Sequence, residues 1–168
     1  MLPTLRHRIK SNPETVQDLA IASDEKYWEG IELLVSGRRG EGIYLLGYSV
    51  EMMLKNACFL AEGARPSDLV GPRLGPIRSW AKSALPDIPP ESYHSLRFWV
   101  HVLRRKRASL GRQLPRQVDA GLVRRTHRIH GTWIVSMRYK PDQALQQEAE
   151  SVYNDVTWIR DRRFQWVR

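Results

Sequence analysis

Apolar positions recur along this chain at helical spacing, and no convincing run alternates with the two-residue rhythm of a strand. Over about 13–35, Val16, Leu19, Ala20, Ser23, Tyr27, Ile31 and Leu34 fall on one stripe. Asn12 is placed to cap that helix, and Pro13 suits its first turn. Gly37, Gly40 and Gly42 then mark a turn. A second helix, over about 41–61, is the most apolar piece. Ile43, Leu46, Val50, Met53, Leu54, Ala57 and Leu60 form one stripe, and Leu45, Met52 and Phe59 add another. A helix apolar on more than one face belongs at the centre of a core. Its Glu51 and Lys55 stand four apart in the order that favours an ion pair. Over 65–90 the pattern is broken by prolines and glycines, which reads as a connecting excursion with short helical pieces around 67–70 and 77–84. A third helix is expected over 91–110, with Leu96, Trp99, Val100, Leu103 and Leu110 inward and arginines over the remainder. A fourth follows Pro115 to about residue 130, with Gly131 bending or ending it. The last begins near Pro141. Its Leu145, Ala149, Val152, Val156 and Ile159 alternate by four and three, a seam of the kind that joins helices in bundles.

The length of 168 residues suits one domain, 1–168, with no room for a comfortable second core. Hydrophobic residues make up 42% and charged residues 27%, which excludes a disordered tail, a collagen-like rod or a disulfide-stapled miniprotein. Cys58 is the only cysteine. It therefore offers no internal disulfide or multi-cysteine zinc site, and it reads as a small core residue of a chain in a reducing, cytoplasmic compartment. No stretch has the ~18 uninterrupted apolar residues of a membrane helix, and no apolar signal core follows the basic residues 1–10, so no membrane partner is expected.

Charge alters this bland picture. The net charge is +9, and residues 92–141 alone carry +11, leaving −2 for the rest. The basic set is Arg97, Arg104, Arg105, Lys106, Arg107, Arg112, Arg116, Arg124, Arg125, Arg128, Arg138 and Lys140, against the single acid Asp119. Clustered cations release counterions from a phosphate backbone, so a nucleic acid is the leading partner. A solvated bundle face or a contact with an acidic protein would use the same residues.

Within that segment, Arg124-Arg125-Thr126-His127-Arg128-Ile129-His130 packs three arginines and two histidines into seven positions. An arginine fork can stabilise the charge that builds on a phosphorus centre, and a histidine can move a proton near neutral pH. Together they suit metal-independent RNA cleavage by the internal 2′-hydroxyl. Arg124 or Arg125 would hold the phosphate, His130 would be general acid or base, and His127 would stand in for it. The competing reading is a basic face that touches phosphates without cutting them, with the histidines hydrogen-bonded in the bundle. The set Arg97, Arg104, Arg105, Lys106, Arg107, Arg112, Arg116, Arg128, Arg138 and Lys140 would supply backbone contacts. His127 and His130 are three apart but have no thiol or carboxylate nearby in sequence. The spacing Glu91-x-x-His94 occurs once, where a di-iron bundle needs it twice. No metal and no cofactor is expected. The glycines of 37–42 follow no strand and read as an interhelical turn. Trp133 and Tyr139 bracket Arg138, and these rings, with Tyr93, Phe98 and Trp99, read mainly as core. The basic and aromatic segment 160–168 reads as a phosphate contact or as a strap across a partner subunit.

The second helix carries a more specific pattern. Gly37-Arg38, followed by Tyr44-Leu45-Leu46-Gly47-Tyr48-Ser49-Val50-Glu51-Met52-Met53-Leu54-Lys55-Asn56-Ala57, resembles the Gly-Arg … Leu-x-Gly-Tyr-x-x-Glu-x-x-Leu-Lys-x-Ala signature of HEPN domains. His94-Ser95-Leu96 is similar to the His-x-Leu that opens a later helix there, and Trp133 to Tyr139 to the Trp-x-x-x-x-Arg-Tyr before the final one. The resemblance spans about 27–159. It implies an all-α, up-and-down bundle of four to five main helices with short extra ones, commonly a homodimer. It also implies nucleotide or RNA binding, and in many members an endoribonuclease of toxin–antitoxin or defence systems, sometimes paired with a nucleotidyltransferase. The family's catalytic motif is Arg, four to six residues, then His, drawn from two protomers into one cleft. Arg125 to His130 leaves four between and Arg124 to His130 leaves five. Members without that motif are binding modules, so a non-catalytic module that grips nucleic acid or an acidic protein through 92–141 is the alternative.

Overall fold

The computed structural model describes residues 12–88 and 94–166. The fold is an all-α bundle with no named strand among the described residues. Helix α1 spans Val16–Val35 and α2 spans Arg39–Ala61. Helix α3 spans Gly71–Ala84, α4 Leu96–Ser109 and α5 Arg116–Thr132. A 3-10 turn over Val135–Tyr139 leads to α6, Gln146–Asp161, and a final turn of helix α7, Arg163–Trp166.

Local chemistry sets the helix ends. The cap of α1 is Thr15 and not Asn12. Thr15 Oγ1 accepts the Asp18 N–H at 3.2 Å while the Asp18 carboxylate accepts the Thr15 N–H at 2.8 Å, and this reciprocal pair satisfies two orphan donors where Asn12 could satisfy one. Helix α2 starts two residues earlier than its glycines suggest. Its first-turn Gly40 N–H donates at 2.9 Å to Asp142, a partner far along the chain that periodicity cannot see. Ser95 caps α4 by accepting the Phe98 N–H at 3.2 Å; the expected start at residue 91 falls outside the described residues. The prolines of 65–90 conceal the longest surprise. Gly71–Ala84 is one continuous helix, with Pro72 in its first turn and Pro76 tolerated further in.

Helix α2 lies at the centre, against α1, α4 and α6. Val50, Leu54, Cys58 and Phe59 on it have no exposed surface, as the double apolar stripe requires. Val50, Leu54 and Phe59 each contribute about 1.5–3 kcal/mol through burial. The α1–α2 pair is close because Gly30 and Gly42 face each other; a Cβ on Gly42 would lie 2.9 Å from the Gly30 carbonyl oxygen. Gly47 has the same role on the opposite face, where a Cβ would run into the Trp133 ring. The Trp133 indole is fixed there, its Nε1–H donating to the Tyr44 carbonyl at 2.9 Å. Trp99 and Trp166 complete a set of fully buried indoles.

Two seam residues face water. Leu110 is the C-cap of α4 and is half-exposed, because the helix ends before it would turn inward. Leu145 precedes α6 in extended backbone and is 65% exposed, so the buried seam begins at Ala149. The described part of the basic tail, through Trp166, packs against its own chain. Arg160 and Arg163 both donate to Asp24 on α1, at 3.0 and 2.6 Å, and Trp166 is buried. No described helix is long and apolar enough to cross a membrane.

Candidate nucleic-acid interface

Helices α4 and α5 form an antiparallel hairpin that carries most of the basic excess, and the cations of the hairpin and of the turn that follows it divide into two groups. Arg104 clamps Asp119 through two hydrogen bonds of 2.6 Å. Lys106 pairs with Glu62 at 2.6 Å and sits 3.7 Å above the Trp80 ring. Arg107 is turned inward, only 9% exposed, and donates to the Arg112 and Trp166 carbonyls at 3.0 and 3.1 Å. That position takes it off the phosphate-contacting face where periodicity had placed it. Arg125 donates to Asp155 at 2.5 Å and stacks 4.8 Å from Trp158. Arg128 grips the same carboxylate, its Nε–H at 2.8 Å. Arg138 lies over Tyr139 at 4.6 Å, both exposed. Against these stand Arg97, Arg105, Arg112, Arg116, Arg124 and Lys140. All six are exposed, and among the described residues none has a carboxylate partner.

The cluster of 124–130 is spread around one regular helix. At about 100° per residue, the five-residue step from Arg125 to His130 turns ~140°. Gly131 introduces no break, since α5 continues to Thr132. Arg124 points to solvent, Arg125 and Arg128 to α6, and His127 to α4, while Thr126 and Ile129 are buried and His130 is half-buried. Within one chain, the arginine–histidine spacing therefore does not converge on one spot.

The structure instead pairs His127 with His101. The two Nε2 atoms are 3.2 Å apart and the ring centroids 5.3 Å apart. Burial, then the neighbouring His127, Arg104 and Arg97, push the His101 pKa down to about 4. Asp119 pulls the other way, but Arg104 already engages it. His101 was missed in the sequence. The available signal was the run Arg97, His101, Arg104 at steps of four and three, one stripe of α4 facing the histidine-bearing helix.

A second polar cluster lies inside the bundle. Glu51, 2% exposed, accepts the Lys55 ammonium and holds the His94 Nδ1 at 3.0 Å from both carboxylate oxygens. The ion pair of α2 thus becomes a pin that fixes the approach to α4. The glycine turn before α2 does present helix N–H groups, but an internal anion occupies them. Hydrogen bonds from the Gly40 and Ala144 N–H groups hold the Asp142 carboxyl below its usual range. Among the described residues, no three His, Cys, Asp or Glu side chains gather as a metal-binding group. The chain matches no family model, no curated protein and no solved structure.

Proposed function

We propose that this chain is a HEPN-like RNA-binding protein that meets the phosphate backbone with the α4–α5 hairpin. One observation carries the reading. Arg97, Arg105, Arg112, Arg116 and Arg124 are exposed without counter-ions along a single hairpin, beside carboxylates that are already engaged. Cations left without protein partners are available for phosphates. The packing also supports the family resemblance. Gly47 lies against Trp133 and Glu51 holds His94, so residues from three separate stretches of the signature are neighbours.

Cleavage in this reading belongs to Arg124 and His130 supplied by two copies across one cleft, because Arg125 is bound to Asp155. A non-catalytic module is favoured by that same ion pair, and an acidic or nucleotidyltransferase-type protein would compete for the same face. The test is a gel-shift titration with single-stranded RNA over rising salt, with end-labelled RNA incubated in EDTA beside a His130→Ala variant. With about four phosphate contacts, affinity should fall roughly 50-fold between about 50 and 200 mM salt. Salt-insensitive binding would refute the backbone contact. RNA cut equally by parent and variant would remove His130 from the chemistry, and RNA intact in both lanes would leave the binding module.

A further inference from the structure

A cavity of about 520 Å³ lies between α1, α2 and the final helical turn α7, with no described residue of α4 or α5 in its wall. That volume falls in the range of pockets that enclose small organic molecules. Helical spacing builds the wall. Val16, Ala20 and Ser23 share one face of α1, and Met53, Asn56 and Leu60 share the facing stripe of α2. Val16 and Met53 are buried, whereas Ile21 and Phe164 at the mouth are 50% and 62% exposed. The interior is therefore mainly apolar, with one side open to water. Its polar groups are committed, with one exception. The Ser23 hydroxyl donates to the Ala20 carbonyl at 2.7 Å. Asp24 accepts from Arg160 at 3.0 Å and from Arg163 at 2.6 Å. Asn56 is only 7% exposed, and its Nδ2–H donates to the Val16 carbonyl at 2.8 Å. A carbonyl only accepts, so this bond sets which end of the amide is nitrogen. The other end, Oδ1, accepts no hydrogen bond from any described residue, and the side chain lines the cavity. Buried acceptors in folded proteins are nearly always paired.

We infer that this cavity is a binding site for a small apolar molecule carrying one neutral N–H or O–H group, which donates to Asn56 Oδ1. The apolar wall receives the body of the ligand, and the single acceptor selects among bodies of the same shape. A molecule without a donor leaves Oδ1 desolvated and unpaired, which costs more than the bond itself gains. The mouth decides the charge. Two guanidinium groups, Arg160 and Arg163, flank one carboxylate, Asp24, so an ammonium group meets net positive charge. A carboxylate or phosphate group has no donor to give Oδ1. A neutral donor answers both conditions. The site goes beyond the RNA-binding reading and does not depend on it, because it uses none of the cations of the α4–α5 hairpin.

Indole and benzofuran are matched probes for this site. They share one bicyclic shape, with an N–H in the first and only an acceptor oxygen in the second. Each is titrated into the isotope-labelled full chain and followed by NMR. Indole should shift the Asn56 side-chain amide signals together with the backbone signals of residues 16–24, and it should bind about tenfold more tightly than benzofuran. Ala20→Phe adds bulk to the wall and removes no side-chain hydrogen bond, so it should abolish both sets of shifts while the melting curve stays cooperative. Equal affinity for the two probes would overturn the proposal. So would Asn56 signals that stay still up to the solubility limit of indole, or unchanged indole binding in folded Ala20→Phe. Nuclear Overhauser contacts between the Asn56 amide and residues 1–11 in the free protein would give the cavity an occupant from its own chain and equally overturn the small-molecule reading. If Ala20→Phe does not fold, the comparison of the two probes on the parent chain decides alone.

Discussion

A guanidinium that already holds a carboxylate meets a phosphate only by giving the first partner up, and this decides which arginines matter. In sequence, Arg107 and Arg124 are both expected to meet a phosphate. In the fold, one is locked to two carbonyl oxygens and the other stands in solvent. Residue type was legible and residue commitment was not, because commitment depends on partners contributed by other helices. His101 shows the same lesson, and it carries a prediction about stability. Its folded pKa, about 4, lies below the ordinary value of 6.5. The unfolded chain therefore takes up the proton first. Stability is whole above pH 6.5 and is lost as pH falls from there toward 4. A tenfold difference in proton affinity is worth about 1.4 kcal/mol, and solvent around the half-exposed ring limits the whole loss to about 1–2 kcal/mol. Urea unfolding at pH 7.5 and pH 5 should show a little over half of that loss in the parent and a smaller change in His101→Gln.

At the scale of elements, hydrophobic periodicity located the helices well and their ends poorly. The stripe from Val16 to Leu34 and the double stripe of α2 read correctly, because burial imposes a 3.6-residue repeat whatever lies opposite. The ends depend on single hydrogen bonds. Thr15 displaced Asn12 through a reciprocal cap, and α6 begins at Gln146, five residues past Pro141. Helix α3 was hidden because Pro72 and Pro76 resemble breakers, whereas Pro72 fits the first turn of the helix and Pro76 lies inside it. The junction of α5 and α6 offers a test with two opposite outcomes. Asp155, 1% exposed, is the shared counter-ion of Arg125 and Arg128. Asp155→Asn should destabilise the bundle by about 3 kcal/mol, since two cations lose their buried anion. The same change releases both guanidinium groups, so RNA affinity at low salt should rise while the melting temperature falls. A gel shift and a thermal melt on one preparation check both.

For the whole molecule, the sequence announced an all-α bundle and a lopsided charge, and both hold. The arrangement of the candidate site was out of reach, since Arg104–Asp119 and Arg125–Asp155 are separated by 15 and 30 residues and obey no period. The unpartnered cations provide the global test. Reversing Arg97, Arg105 and Arg124 together to Glu should abolish measurable RNA binding at ordinary salt and flatten the salt slope by about 2, or 0.7 for each lost phosphate contact. The melting temperature should hold, because no ion pair is removed. A different consequence follows from the clamp between the first and later helices. Tyr27 bonds Thr157 across 130 residues, and Asp24 takes Arg160 across 136. Such contacts close long loops, and in a nucleus built from nearer pairs they form after the rate-limiting step. In kinetic terms the clamp is a latch. Asp24→Asn should speed unfolding in stopped-flow measurements several-fold and leave the refolding rate nearly untouched.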